Sequence, residues 1–275
     1  MKRAILVAVA AMVSVPAFGL ALQFDFSTSA GSYGGKIAPG YEASAEEPNA
    51  YGAAGTTITN AGGMGLLDSR NGTAWNVLGS GGMFSGLMCV DGTSAGSDVK
   101  ATLAAGSPSD GMGNWSGSVQ TWTESASTSG VQSTSLMLDV LYTTNNLLGF
   151  RITGLPVGTY AVIVMDVTPN VTSTRPHEFK AGLFTDASQG SYNDEALSVL
   201  GTLNAHGLTD APLWTNGVNY LMTTITTTSE SDYIVVMGTG FNASMNGIQI
   251  IQMVPEPATM GLLALGGLAL LRRRR

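Results

Sequence analysis

From residue 148 to residue 253 the chain is a succession of short runs rich in Val, Ile, Thr and aromatic residues, each closed by Gly, Asn, Asp or Ser. This punctuation narrows the fold more than any other feature, because such residues suit a pleated, half-buried surface and the closing residues are turn formers. Phe150 and Ile152 alternate into Gly154, residues 154–159 (GLPVGT) make a compact turn, and 160–167 is an apolar run long enough for a buried central strand. Residues 177–185 alternate again, and 220–228, 233–238 and 247–253 complete the series.

Upstream the pattern is sparser. Residues 22–26 (LQFDF) set Leu22, Phe24 and Phe26 against Gln23 and Asp25, the alternation of a half-buried strand. Residues 27–54 are rich in Gly, Ser and Ala with little periodicity and predict a long surface excursion. Further short strands are expected at 56–60, 74–78, 84–90, 98–104 and 118–123. Residues 135–142 (SLMLDVLY) also place Leu136, Met137, Val140 and Leu141 on one helical face, so this is the single candidate for a short helix. Many short strands and almost no helix mean an all-β sandwich.

The core must stabilise such a body unaided, since Cys89 is the single cysteine and no disulfide framework exists. With 36 Gly and only 11% charged residues, the chain is loop-rich. Of its 12 basic residues, six lie at the two ends, and of its 19 acidic residues only Glu256 does, leaving the body with 6 against 18, a net −12. That balance excludes nucleic acid as a partner and argues against docking on anionic lipid, because no basic patch is available to neutralise phosphates.

The two ends differ from the body. Lys2 and Arg3 precede an apolar run over 4–13, then Pro16 and small residues, which is the layout of a secretory signal peptide. The run falls well short of the ~20 residues of a spanning helix. Gly19 and Ala21 suit the positions before a cut, predicting cleavage before Leu22 with cleavage after Gly19 as the alternative, a signal segment of 1–21 and a body of 22–253. At the other end, 260–271 is uncharged and makes roughly 18 Å of helix, against a hydrocarbon core of ~30 Å. Arg272, Arg273, Arg274 and Arg275 hold that end on the cytoplasmic side. Pro255 and Pro257 bracket Glu256 in extended backbone just ahead of the helix, where an enzyme can read it.

Pro255-Glu256-Pro257, the Gly/Ala/Leu helix and the arginine cluster together closely resemble the PEP-CTERM sorting signal of exported bacterial proteins, here over 254–275. The resemblance implies transient anchoring in the inner membrane, removal of the tail by an exosortase after signal peptidase has acted at the other end, and delivery to the cell surface or exopolysaccharide matrix. A second resemblance spans most of the body. The FDF of residues 24–26, the AWN of 74–76, a hairpin around Asp91 and Gly92, GLPVGTYAVIV at 154–164 and MNGIQI at 245–250 are similar to the galactose-binding-domain-like jelly rolls of malectin-like modules. It implies a jelly-roll β-sandwich in which any ligand is a carbohydrate held by loops at one end or on one face.

Few constellations offer chemistry. GTSAG at 92–96 matches the G-x-S-x-G pattern around Ser94, but the alternating DVKATLAA that follows makes it a hairpin tip instead of a strand-to-helix elbow. Asp166 and His206 follow Ser94 in triad order without the fold that assembles such a site, and no enzymatic activity is expected. His177 and His206 are the only histidines, His177 being read as a loop residue with a surface or packing role, and no zinc cluster is spelled out. Asp91, Asp98 and other loop carboxylates are of the kind that binds calcium weakly, so no cofactor is expected beyond structural calcium as a weak alternative. Among the four tryptophans, Trp115 and Trp214 sit in polar, Gly/Asn-rich loops and are the candidates for stacking on a polysaccharide, whereas Trp75 and Trp122 lie in strand-like runs and read as core.

Overall fold

The computed structural model describes residues 20–26, 37–38, 41–43, 74–78, 81–89, 93–109, 111–112, 115, 119–123, 139–166, 175–204, 216–218 and 220–253. Among them there is no helix, and the strands, numbered β1–β16 in chain order, form a sandwich. One sheet has the order β13 (Tyr220–Thr227), β10 (Gly158–Met165), β16 (Gly247–Gln252), β1 (Ala21–Asp25), β4 (Ala74–Val77), β3 (Tyr41–Ala43), β2 (Ile37–Ala38). The second runs β12 (Leu197–Asn204), β11 (Pro176–Phe184), β14 (Tyr233–Thr239), β9 (Leu147–Thr153), β6 (Lys100–Gly106), β5 (Gly82–Phe84). A small third sheet joins β15 (Ser244–Met245), β8 (Asp139–Tyr142) and β7 (Gln120–Thr123). The terminal signal and membrane helices expected from the sequence lie outside the described residues, as does the strand expected at 56–60.

Period-two alternation builds the core between the two large sheets. Phe24, Tyr160, Val162, Val164, Ile248 and Ile250 project from one, and Leu103, Phe150, Ile152, Phe179, Ile234 and Val236 from the other. Phe150 lies at the centre, its ring 4.9 Å from that of Phe24 and 5.9 Å from that of Phe26. Along β9 and β14 the intervening residues, Leu147, Val235 and Met237, are apolar too, because a second cluster covers the outer face of the six-stranded sheet. Met112, Trp115, Phe184, Tyr192 and Leu197 supply it. Gly149 permits the close approach, since a Cβ there would come within 2.6 Å of the Met112 side chain.

Several expectations are corrected by tertiary context. β1 is buried on both faces, not one: it sits between β16 and β4, and the Gln249 amide donates to Gln23 Oε1 at 2.7 Å. Ala21, assigned to the signal segment, is the first residue of β1 and pairs with Ile251, and the Leu20 amide donates to Gln252 Oε1 while its carbonyl accepts the Gln252 amide. Pairing among the described residues thus starts at Leu20, ahead of the expected cut before Leu22. The supposed excursion of 27–54 contains β2 and β3, and β8 replaces the candidate helix over its last four residues. The strand expected at 84–90 stops at Phe84, after which Asn76 takes the place of a ladder partner, accepting from Met88 N at 2.8 Å and donating to Met88 O at 2.9 Å. β12 was not anticipated; it is a sheet edge carrying Gly201 and facing an irregular register at Phe179/Lys180, which blurs its alternation.

Replacing Phe150 by Ala removes the ring that both Phe24 and Phe26 pack against. It is expected to lower unfolding free energy by roughly 3–5 kcal/mol, read as a fall in the urea midpoint with an unchanged slope.

Candidate functional site

Thr93 to Ala95 of the GTSAG segment pair back onto Leu87 to Cys89. Met88 and Ser94 make an antiparallel bridge, the Cys89 amide donates to Thr93 O at 2.8 Å, and the Ala95 amide to Leu87 O at 2.9 Å. Ser94 is exposed and its Oγ accepts the Gly96 amide at 3.2 Å. His206, Trp214, Asp91 and the sorting residues Pro255, Glu256, Pro257 and Arg272 to Arg275 lie outside the described residues; Asp98 is exposed. For Trp75 and Trp122 the structure gives the strand alone, β4 and β7.

Asp166 instead meets His177 and Ser244, which no local motif joins to it. His177 is not in a loop but is the second residue of β11, 1% exposed, and its Nδ1 lies 2.7 Å from Asp166 Oδ2. Ser244, at the start of β15, donates from Oγ to Asp166 Oδ1 at 2.7 Å and lies 3.2 Å from His177 Nδ1. His177 Nε2 faces the Phe241 carbonyl at 3.2 Å. Carboxylate and carbonyl only accept, so the ring can donate to both at once only in its doubly protonated form. Burial pushes its pKa down, but the charge and hydrogen bond of Asp166 and the bond to Phe241 outweigh it, and the net shift is upward from 6.5.

These three residue types suggest acyl transfer, but their order in space forbids it. A nucleophilic serine must face the imidazole nitrogen remote from the carboxylate. Here Ser244 shares the carboxylate side, a main-chain carbonyl caps the remote nitrogen, and all three side chains are buried. The cluster is a latch. It ties the end of β10 in one large sheet to β11 in the other and to β15 in the third.

A second cluster lies on the outer face of the six-stranded sheet. Trp115 is in a turn as expected, with φ 56°, yet it is only 3% exposed and its faces are not free for a sugar. The reason is the apolar outer face, which draws the ring down over Gly149 while its Nε1 donates to Gln189 O at 2.9 Å. Beside it Arg151 of β9, 7% exposed, sits 4.5 Å from the Trp115 ring centre and 4.8 Å from that of half-buried Tyr233. Arg151 Nη1 donates to Ala187 O at 2.8 Å. Burial pushes the guanidinium pKa down from its ordinary value. Sequence reasoning missed this arginine because nothing local marks a cation in an apolar strand as part of a cage.

Comparison with known proteins bears mainly on the C-terminus. A family model described as the PEP-CTERM protein-sorting motif matches residues 254–275. The chain carries a PEP-CTERM sorting motif. That motif marks an exported protein processed by an exosortase. No curated protein matches the chain in sequence. Among solved structures, the extracellular domain of ANXUR1 from Arabidopsis thaliana is similar at 9% identity and a TM-score of 0.32, over 57% of this chain and 50% of that one. A beta-glucuronidase of Bacteroides uniformis is similar at 13% identity and a TM-score of 0.31, over 71% of this chain and 22% of that one. The CBM22-1-GH10 modules of xylanase 10B from Clostridium thermocellum give 12% identity and a TM-score of 0.22, over 56% and 25%. The chain thus spans about half the length of the ANXUR1 domain, and likeness at this level carries no information on ligand or activity.

The latch makes stability depend on pH. A histidine whose pKa is raised on folding contributes fully below its unfolded value of 6.5, and the contribution is lost as pH rises through the folded value. Wild-type melting temperature is therefore expected to fall above pH ~6.5 relative to His177→Gln, which lacks that slope. At pH ~6 the variant is expected to be less stable by roughly 3–5 kcal/mol, because it leaves the Asp166 charge buried without its cation; thermal unfolding against pH checks both.

Proposed function

We propose that the chain is exported by a cleaved N-terminal signal peptide, held in the inner membrane by its C-terminal helix, released by an exosortase, and left at the cell surface or in the extracellular matrix as a non-catalytic β-sandwich. The sorting motif at 254–275 carries this reading, beginning two residues after β16 ends at Gln252. Absence of catalysis is supported by the latch geometry, in which the one Ser-His-Asp cluster among the described residues has its remote nitrogen capped. A second reading, that the sandwich binds matrix polysaccharide, is favoured by half-buried Tyr233 on the outer face of the six-stranded sheet, an aromatic ring being what the apolar side of a sugar packs on.

Intact mass of protein recovered from the cell surface or medium tests the main reading at both ends. The expected species begins at Leu22, or at Leu20 if the alternative cut is used, and lacks about 20 C-terminal residues; a species retaining Arg272 to Arg275 overturns exosortase release in favour of a permanent anchor. Replacing those four arginines with alanine is expected to abolish surface delivery, scored by cell fractionation.

A further inference from the structure

We infer that the peptide unit joining Phe241 to Asn242 is a proton-operated switch, pinned while His177 donates from Nε2 and flipped once that nitrogen is bare. Gly240, Phe241, Asn242 and Ala243 form a four-residue turn, closed by the Ala243 amide donating to Gly240 O at 3.1 Å. Asn242 holds the third position with φ 54°, the left-handed region that a type II turn requires there. Type I and type II turns differ by a half-rotation of the central peptide, and here that peptide is held at both ends. Its carbonyl, Phe241 O, lies 3.2 Å from His177 Nε2, and its amide, Asn242 N, donates to Asn146 Oδ1 at 3.1 Å. The turn lies directly on the imidazole, since a Cβ at Gly240, whose φ is 150°, would come within 2.6 Å of His177 Cδ2.

A neutral imidazole keeps one proton, and its acceptors decide which. Asp166 Oδ2, a buried carboxylate 2.7 Å from Nδ1, is the stronger acceptor and retains its donor; the main-chain carbonyl at 3.2 Å is the weaker and loses one. Nε2 and Phe241 O then present lone pairs to each other. Rotating the peptide turns Phe241 O away and returns Asn242 to negative φ. The bond to Asn146 is lost, but Asn146 is exposed and water takes its place. Burial acts to strip the His177 proton, Asp166 and the bond to Phe241 act to keep it, and the charge of Arg175, just ahead of β11, acts with burial; the balance holds the proton past pH 6.5. Of the neighbouring elements, β11 directs Glu178 to its other face, where it accepts from Tyr192, β15 brings the uncharged Ser244, and β8 brings Tyr142 at the ladder position opposite Ser244. What rides on the turn is Phe241, 65% exposed, with the Arg175 guanidinium 5.1 Å from its ring centre. The switch thus makes the setting of an exposed aromatic depend on pH.

The test uses the full-length chain in non-ionic detergent, with His206→Gln so that His177 is the single histidine, and follows the labelled ring nitrogens by NMR from pH ~5.5 to ~8.5. Both nitrogens are expected to be protonated at the lower end and Nδ1 alone at the upper. A ring protonated on Nε2 at the upper end overturns the switch, because Phe241 O then keeps its donor. Hydrogen exchange on the wild-type chain, corrected for the intrinsic effect of pH, reads the turn itself. Protection of the Asn242 amide is expected to fall about tenfold relative to the amides of β14 over that range, the factor that one pKa unit of coupling gives. Equal loss in the turn and in β14 means that the whole latch melts and overturns a local switch, as does a turn that does not change. Asn242→Gly takes left-handed φ without strain and is expected to shrink the fall; an undiminished fall overturns the peptide flip.

Discussion

An imidazolium and a carboxylate, sealed from water and braced by a serine hydroxyl, hold three sheets at one corner of this sandwich. Asp166 leaves β10, His177 enters β11, and Ser244 opens β15, so each sheet contributes one member. The apolar interface around Phe150 supplies most of the favourable burial, but apolar contact is tolerant of small slips. A buried ion pair is not, because misplacing either partner leaves a charge stranded in a low-dielectric interior. Slippage of the sheets at this corner therefore carries an electrostatic cost as well as a packing one.

The strands were legible where burial falls on one face or where an apolar run is continuous. Phe150 and Ile152, the 160–165 run and the Thr-rich 220–227 all read correctly, because side-chain period and local environment agree there. β1 misled by its alternation, since Gln23 and Asp25 look solvent-facing and yet lie between neighbouring strands with their faces covered. β12 was invisible because an edge strand with an internal glycine and a bulged partner has no clean period. The candidate site was less legible still. Asp166 lies 11 positions from His177 and 78 from Ser244, and no local rule joins residues so separated until strand order is known.

The six-stranded sheet has two different apolar faces. Its inner face meets the other sheet, and its outer face is roofed by two loops that bring Met112, Trp115 and Tyr192 onto it. A loop rich in Gly and Asn looks wet in sequence, and Trp115 seemed a surface aromatic for that reason; what decides its burial is the uncovered strand face beneath. The same roofing holds Arg151 between two rings and away from water.

β1 and β16, the first and last strands, are neighbours along their whole length, with Leu20 joined to Gln252. A chain emerging from the ribosome delivers β1 first and β16 last, so the seam that completes the larger sheet cannot close before synthesis has passed Gln252. Once that seam is closed, the first and last described residues of the sandwich lie side by side, so a strain applied at one is felt at the other through the same pair of hydrogen bonds.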